Sequence, residues 1–238
     1  MYPVLNIREN EKLLIVAPHP DDETIGCGGV LSLYGKQCDV LLLTDGRRGI
    51  PEGSNLTQDE TAARRKKEFT AVMDFFHVHS YRMLEIPDAE LAAHEQAVSD
   101  VDLRDYDRIF VPNRNERHPD HKAAFEIIRR LHQKQKAKAE LIEYEVWSPI
   151  ISANRFLEIS SVMDTKTAAL QKYGSQTASI DYEAFVRGLN MYRGAPHHVA
   201  YCEAFYSNGA EQTGAKQMIA RIVPKGLRRA LSALKNHS

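Results

Sequence analysis

The stretch KLLIVAPHPDDETIGCGG, Lys12 to Gly29, joins an unbroken apolar run to an acidic, histidine-bearing loop and then to a glycine-rich turn. Lys12 to Ala17 reads as a strand buried on both faces, which is the kind that a parallel sheet requires. Gly28 to Tyr34 reads as the start of a helix. Asp39 to Leu43 (DVLLL) is a second buried strand, closed by the turn Thr44-Asp45-Gly46. Thr57-x-x-Glu60 has capping-box spacing and opens a helix to about Phe76. Arg108 to Val111 (RIFV) is a further strand, Lys122 to Leu131 a helix with apolar spacing, and Ile142 to Trp147 another strand. Apolar strands alternating with helices predict βαβ units. The expected fold is α/β, a Rossmann-like three-layer sandwich with a mostly parallel sheet and helices on both faces. From Ile150 to Gln217 the alternation blurs. No repeat or linker interrupts the chain, so residues 1–214 read as one domain and 215–238 as a basic amphipathic C-terminal helix.

Composition sets the outer bounds. The chain has 238 residues, 43% hydrophobic and 26% charged, which is globular and long enough for a real core. Lys+Arg 31 against Asp+Glu 32 gives a net charge of −1, so no nucleic-acid partner is expected. Cys27, Cys38 and Cys202 form no CxxC pair, which excludes a cysteine-built zinc module and suits a reducing compartment. The N-terminus bears charges where a signal peptide needs apolar residues, and no stretch has membrane-spanning length. A cytoplasmic protein is expected.

In an open parallel sheet, ligands bind at the carboxyl ends of the strands. Two of the loops in that position share a pattern. APHPDDE follows the first strand and PNRNERHPDH follows the strand at Arg108 to Val111. Each holds His-Pro-Asp and then another metal-ligating type, Asp22 in the first and His121 in the second. His19 and Asp22 are spaced i,i+3, as are His118 and His121, so one turn brings each pair to one side. A catalytic zinc takes three ligands from His and Asp/Glu and keeps one position for water, whose pKa falls to about 7. A spare carboxylate would then serve as base, and a spare imidazole as acid or oxyanion donor. A single His-Pro-Asp would be no more than a helix start, with Pro at the first helical position. Two copies after two buried strands favour a site. Asp21, Asp22 and Glu23 in succession also need a cation or a helix dipole to offset their repulsion.

These residues resemble the PIG-L/LmbE-like zinc-dependent de-N-acetylase family. Similar further segments are LLLTDGRRG, Arg65-x-x-Glu68, Ile86-Pro87-Asp88, Lys166 with Leu170, Tyr173-x-Ser175-Gln176, Arg193-Gly194 and Tyr201-x-Glu203-x-Phe205. The resemblance implies a hydrolase that removes the N-acetyl group from an N-acetylglucosamine-type conjugate. It implies His19, Asp22 and His121 as metal ligands, Asp21 as general base, and His118 as oxyanion stabiliser or proton donor to the leaving amine. Zn2+ is the implied cofactor, although the ligand types also suit Fe2+. The family often assembles, so a homo-oligomer is an expectation too. Phe76 and Glu116 depart from the family's usual residues.

Other features are open to two readings. Arg65 and Asp88 are candidate substrate contacts, against a solvated helix face and a chain turn. Glu23 and Asp120 read as helix caps or as groups that orient a ligand histidine. GCGG lacks the third glycine of GxGxxG, so Gly26, Gly28 and Gly29 suit close helix packing better than a dinucleotide. That weighs against a nucleotide-sugar-binding oxidoreductase. A non-catalytic carbohydrate-binding protein on the same fold would be expected to have lost Asp21 or His118. His77, His79, His197 and His198 read as structural, His94-Glu95 does not complete HExxH, and no GxSxG elbow occurs. Residues 215–238 carry six basic and no acidic side chains. Leu227, Ala230, Leu231 and Leu234 recur at helical spacing, which suggests either docking on the domain or peripheral contact with an anionic inner-membrane surface.

Overall fold

The computed structural model describes residues 4–208. Along the chain, β1 (Leu13–Ala17), α1 (Asp22–Tyr34), β2 (Cys38–Thr44), α2 (Gln58–Phe76), β3 (Ser80–Ile86), the short α3 (Glu95–Val98), β4 (Arg108–Pro112), α4 (Pro119–Gln135) and β5 (Glu140–Tyr144) form the doubly wound part. It is followed by β6 (Arg155–Glu158), α5 (Met163–Leu170), α6 (Gly174–Thr177), α7 (Tyr182–Gly194) and β7 (Cys202–Tyr206). The seven strands lie in one sheet in the order β3-β2-β1-β4-β5-β7-β6. The first five are parallel, and β7 runs antiparallel to both β5 and β6. Because β1 pairs with β2 on one side and β4 on the other, chain order reverses between β1 and β4. The crevice beyond their carboxyl ends is therefore the topological switch point.

Strand alternation supplies two cores. Leu13, Ile15 and Ala17 of β1 pack on one face with Val30 and Leu31 of α1, Phe69 and Met73 of α2, and Leu170 of α5. Leu14 and Val16 point the other way, toward Ala124, Ile127 and Ile128 of α4. Helices thus cover both faces, and the expected α/β sandwich is what forms. The capping box is present, with Glu60 N donating to Thr57 Oγ1 at 3.2 Å and Thr57 N donating to Glu60 Oε2 at 2.8 Å.

Three expected boundaries shift. Helix α1 begins at Asp22 rather than Gly28, but it kinks at Cys27 (φ −131°, ψ 18°). Gly29 N and Val30 N donate across this kink to Glu203, which also pairs with the buried Lys166 at 2.8 Å. The second half of α1 is therefore capped from β7. Helix α4 starts three residues early, at Pro119, with His118 as its N-cap. Strand β5 ends at Tyr144, before Trp147, because Glu145 turns inward to pair with Arg193. The glycines fulfil the packing role. A Cβ on Gly26 would lie 2.1 Å from the Tyr144 ring, and one on Gly28 would lie 2.6 Å from Lys166. The expected helix over 215–238 lies outside the described residues.

Candidate metal centre and active site

Both histidine-bearing loops open at the switch point, each at the carboxyl end of a central strand. The first loop needs an unusual backbone. Asp21 has φ 127° and ψ −29°, a region that costs on the order of 1–3 kcal/mol for a residue with a side chain. Several contacts hold it there. Its amide donates to Glu23 Oε2 at 3.2 Å, and its carbonyl accepts from Thr24 N and Ile25 N at 3.0 and 2.9 Å. The Glu23 carboxylate is fixed in turn by the Tyr173 and Thr24 hydroxyls, both at 2.6 Å.

This backbone turns Asp22 toward the second loop. Asp22 Oδ2 lies 3.1 Å from His19 Nδ1 and 3.0 Å from His121 Nε2, and those two nitrogens are 3.3 Å apart. Three donors on a tetrahedral zinc at about 2.0–2.2 Å would be separated by about 3.3–3.6 Å, so the trio fits such an ion in donor type and comes within a few tenths of an ångström of its spacing. All three residues are buried. Their protonation is that of a pocket shaped for positive charge. Burial opposes protonation of His121, yet the charge and hydrogen bond of Asp22 hold its pKa at about 9. Burial likewise opposes protonation of His19, but the carboxylates of Asp120, Asp22 and Asp88 raise its pKa well above the usual imidazole value. Burial would raise Asp22, and the charges of His121 and His19 instead keep it far below the ordinary carboxylate range.

The outer nitrogens of these histidines also meet carboxylates. His19 Nε2 lies 3.2 Å from Asp88 Oδ1 and 3.3 Å from Asp120 Oδ2, while His121 Nδ1 faces Glu116 Oε2 at 3.6 Å, longer than a hydrogen bond. The acceptors at Nε2 of His19 fix that ring's tautomer and turn its Nδ1 to the trio, while Glu116 places a negative charge behind the outer nitrogen of His121. His19, His118 and His121 offer a further set of donors within 4.8 Å of one another, as do His19, Asp88 and Asp120. In the His19/Asp22/His121 set all three donor–donor distances are 3.3 Å or less.

Two groups with proton-handling chemistry flank the trio. Asp21 is buried, and burial lifts its pKa to about 6 against the pull of Arg65. Both side-chain donors to it, Arg65 Nη2 at 3.2 Å and Tyr182 OH at 3.0 Å, reach Oδ2, which leaves Oδ1 to accept a proton. His118 is half-buried, edge-on to the His19 ring at 4.7 Å, and its pKa is lowered by burial and by the neighbouring imidazoles. Its Nδ1 accepts from Asp120 N at 3.3 Å, so the neutral ring carries its proton on Nε2.

The sequence-predicted residues gather here, but two of them stand where the sequence reading did not put them. Arg65 is buried under the first loop, donating to Pro20 O at 2.5 Å and Gly46 O at 3.0 Å as well as to Asp21. Asp88 lies behind His19, accepts from Arg48 N at 3.2 Å, and is held at a pKa of about 2 by His19 against the effect of burial. Their polar atoms bear on Asp21 and His19 rather than on open space. Sequence reasoning missed Tyr182, the contact of Tyr173 with Glu23 and the place of Glu116 behind His121. The two tyrosines reach the centre from positions 161 and 150 residues away, with no local signal.

A convergent nitrogen and carboxylate trio beside a spare carboxylate and a spare imidazole is the donor and proton-handling set that metal-assisted hydrolysis requires. The PIG-L family, described as GlcNAc-PI de-N-acetylase, matches residues 14–132, and the chain belongs to this family. The diacetylchitobiose deacetylase of Thermococcus kodakarensis is 28% identical over 222 residues, spanning 81% of this chain and 81% of its own. A probable N-acetyl-alpha-D-glucosaminyl L-malate deacetylase 2 of Bacillus subtilis is 27% identical over 188 residues, 70% of this chain and 84% of its own. The solved N,N'-diacetylchitobiose deacetylase of Pyrococcus horikoshii shares the fold, with a TM-score of 0.73 at 23% identity over 90% of this chain and 87% of that one. The resemblance carried by the two motifs is thereby confirmed.

Proposed function

We propose that this protein hydrolyses the N-acetyl group of an N-acetylglucosamine-type conjugate, releasing acetate and a free amine. The convergence of His19 Nδ1, Asp22 Oδ2 and His121 Nε2 to within 3.3 Å, beside the unengaged oxygen of Asp21, carries this reading. His19, Asp22 and His121 would hold a divalent cation, zinc by ligand type, which supplies Lewis acidity and lowers the pKa of a coordinated water. Asp21 Oδ1 takes a proton from the attacking water, whose oxygen bonds to the acetamide carbon. His118 Nε2–H faces the oxyanion that develops on the acetamide oxygen. The C–N bond then breaks, and the proton taken by Asp21 is delivered to the amine nitrogen, directly or through His118. Arg65 and Tyr182 keep Asp21 oriented by holding its other oxygen. Asp88, Asp120 and Glu116 keep the two imidazoles in register.

The experiment is amine release from a panel of acetylated sugar conjugates by metal-reconstituted protein, alongside Asp21→Asn. Wild type is expected to turn over at least one N-acetylglucosamine conjugate. Asp21→Asn should retain metal and lose 10²–10⁴-fold in rate, the usual contribution of a general base. Loss of metal in that variant would contradict the role assigned to Asp21. A cytoplasmic location, and contact of residues 215–238 with an anionic membrane face, belong to the same proposal. Among the described residues no helix is long and apolar enough to cross a membrane.

A further inference from the structure

Trp147 is the chain's single tryptophan, and it stands three residues past the carboxyl end of β5, on the side of the sheet edge where the two histidine-bearing loops open. Its backbone is tied to the centre from both sides. Val146 N and Ser148 N donate to Glu116 Oε1 at 3.3 and 2.8 Å, and the other oxygen of that carboxylate faces His121. Asn113 Nδ2 reinforces the tie by donating to Glu116 Oε1 at 3.3 Å and to Ser148 O at 2.8 Å. The side chain is supported as well. Phe185 stacks on the indole at 5.4 Å and 27°, and the Tyr182 ring lies 6.1 Å away at 40°. Tyr182 is the residue whose hydroxyl binds Asp21. Despite this support, Trp147 remains 42% exposed.

A large aromatic surface that is pinned by backbone, backed by a ring and left open is a binding platform rather than core. It loses little conformational freedom when a ligand lands on it. The complementary chemistry is an apolar, slightly electropositive C–H surface, because the indole face carries the negative part of the ring quadrupole. A pyranose ring with equatorial hydroxyls presents such a face, whereas an acyclic acetamide does not. We propose that Trp147 is the stacking platform for a pyranose ring of the substrate, selecting saccharide acetamides over acyclic ones. This inference rests on the amino-sugar reading of the centre and adds the residue that recognises the ring.

A single tryptophan makes the test direct. Metal-loaded Asp21→Asn is titrated with N-acetylglucosamine, with N,N'-diacetylchitobiose and with the acyclic N-acetylethanolamine, following indole emission. Saturable change with the sugars and none with the acyclic amide is expected. In the otherwise wild-type protein, Trp147→Ala should raise KM roughly three- to tenfold with kcat within about twofold, and Trp147→Phe should recover most of the loss. An unchanged thermal midpoint confirms that the Ala variant is folded. If a sugar that wild type turns over leaves emission unchanged at saturation, or if Trp147→Ala keeps its KM, the platform is refuted while the deacetylase reading stands. If emission titrates with sugar but no acetamide is hydrolysed, the platform is upheld and the deacetylase reading fails. Silence in both measurements refutes both.

Discussion

At the scale of single residues, the centre is built by making each side chain answer to another. Asp21 sits in a strained backbone well because Glu23, Arg65 and the start of α1 all hold it there. The motif residues were legible in the sequence since they cluster within two short loops after buried strands. Their supports were not, because a tyrosine 161 positions away leaves no pattern near Asp21. Arg65 and Asp88 are instructive in this respect. Both read as candidate substrate contacts, but an arginine whose donors meet Pro20, Gly46 and Asp21 acts first on the protein itself. Glu116 gives a sharp prediction at this scale. It faces the outer nitrogen of His121, so Glu116→Gln should weaken metal affinity about 10–100-fold in chelator competition, as loss of such an orienting carboxylate does elsewhere. Unaltered affinity would remove Glu116 from the support of the centre.

At the scale of elements, α1 is the piece on which the first loop depends. Its glycines let it lie against Tyr144 and Lys166, so Gly26→Ala must displace the Tyr144 ring, which a Cβ would approach to 2.1 Å. Overpacking of this kind costs about 1–3 kcal/mol, which urea denaturation would register, and an unshifted midpoint would show that the helix has room to move. Strand β3 shows why some elements escaped the sequence. As the sheet's edge it is largely exposed, with Arg82 and Glu85 among its residues, and lacks the continuous apolar run that marked β1 and β2. Its start is tied to β2 by Asp39, which accepts from Ser80 and His79 at 2.7 Å and from Tyr106 at 2.9 Å. Burial would raise the Asp39 pKa, yet these hydrogen bonds bring it below the ordinary 3.8. A depressed folded-state pKa means that the stabilisation is present above the unfolded value and is lost as pH falls through the folded one. Asp39→Asn should therefore lower the thermal midpoint at pH 7, and the gap should close as pH drops below about 4. A gap that stays constant with pH would contradict this assignment.

Across the whole molecule, near-neutral charge conceals a division. Taking the six tail cations from the net −1 leaves −7 for residues 1–214, and part of that charge is the carboxylate cluster at the switch point. The fold class was readable because the parallel strands are apolar throughout. The closing elements, β6 to β7, were not, since short strands and helices there are stabilised by distant partners such as the Lys166–Glu203 pair. If the basic tail meets an anionic membrane, truncation after Gly214 should abolish sedimentation with anionic liposomes, and equal sedimentation of both forms would exclude that role. The central claim, however, is that one cation held by His19, Asp22 and His121 makes this protein a hydrolase. The direct measurement is metal content and amine release by the full chain as purified, after chelation, and after zinc is restored, with His121→Ala in parallel. The account predicts one metal per chain, activity lost on chelation and regained with zinc, and neither metal nor activity in His121→Ala. Undiminished turnover in the chelated protein, or full metal content in His121→Ala, would contradict it.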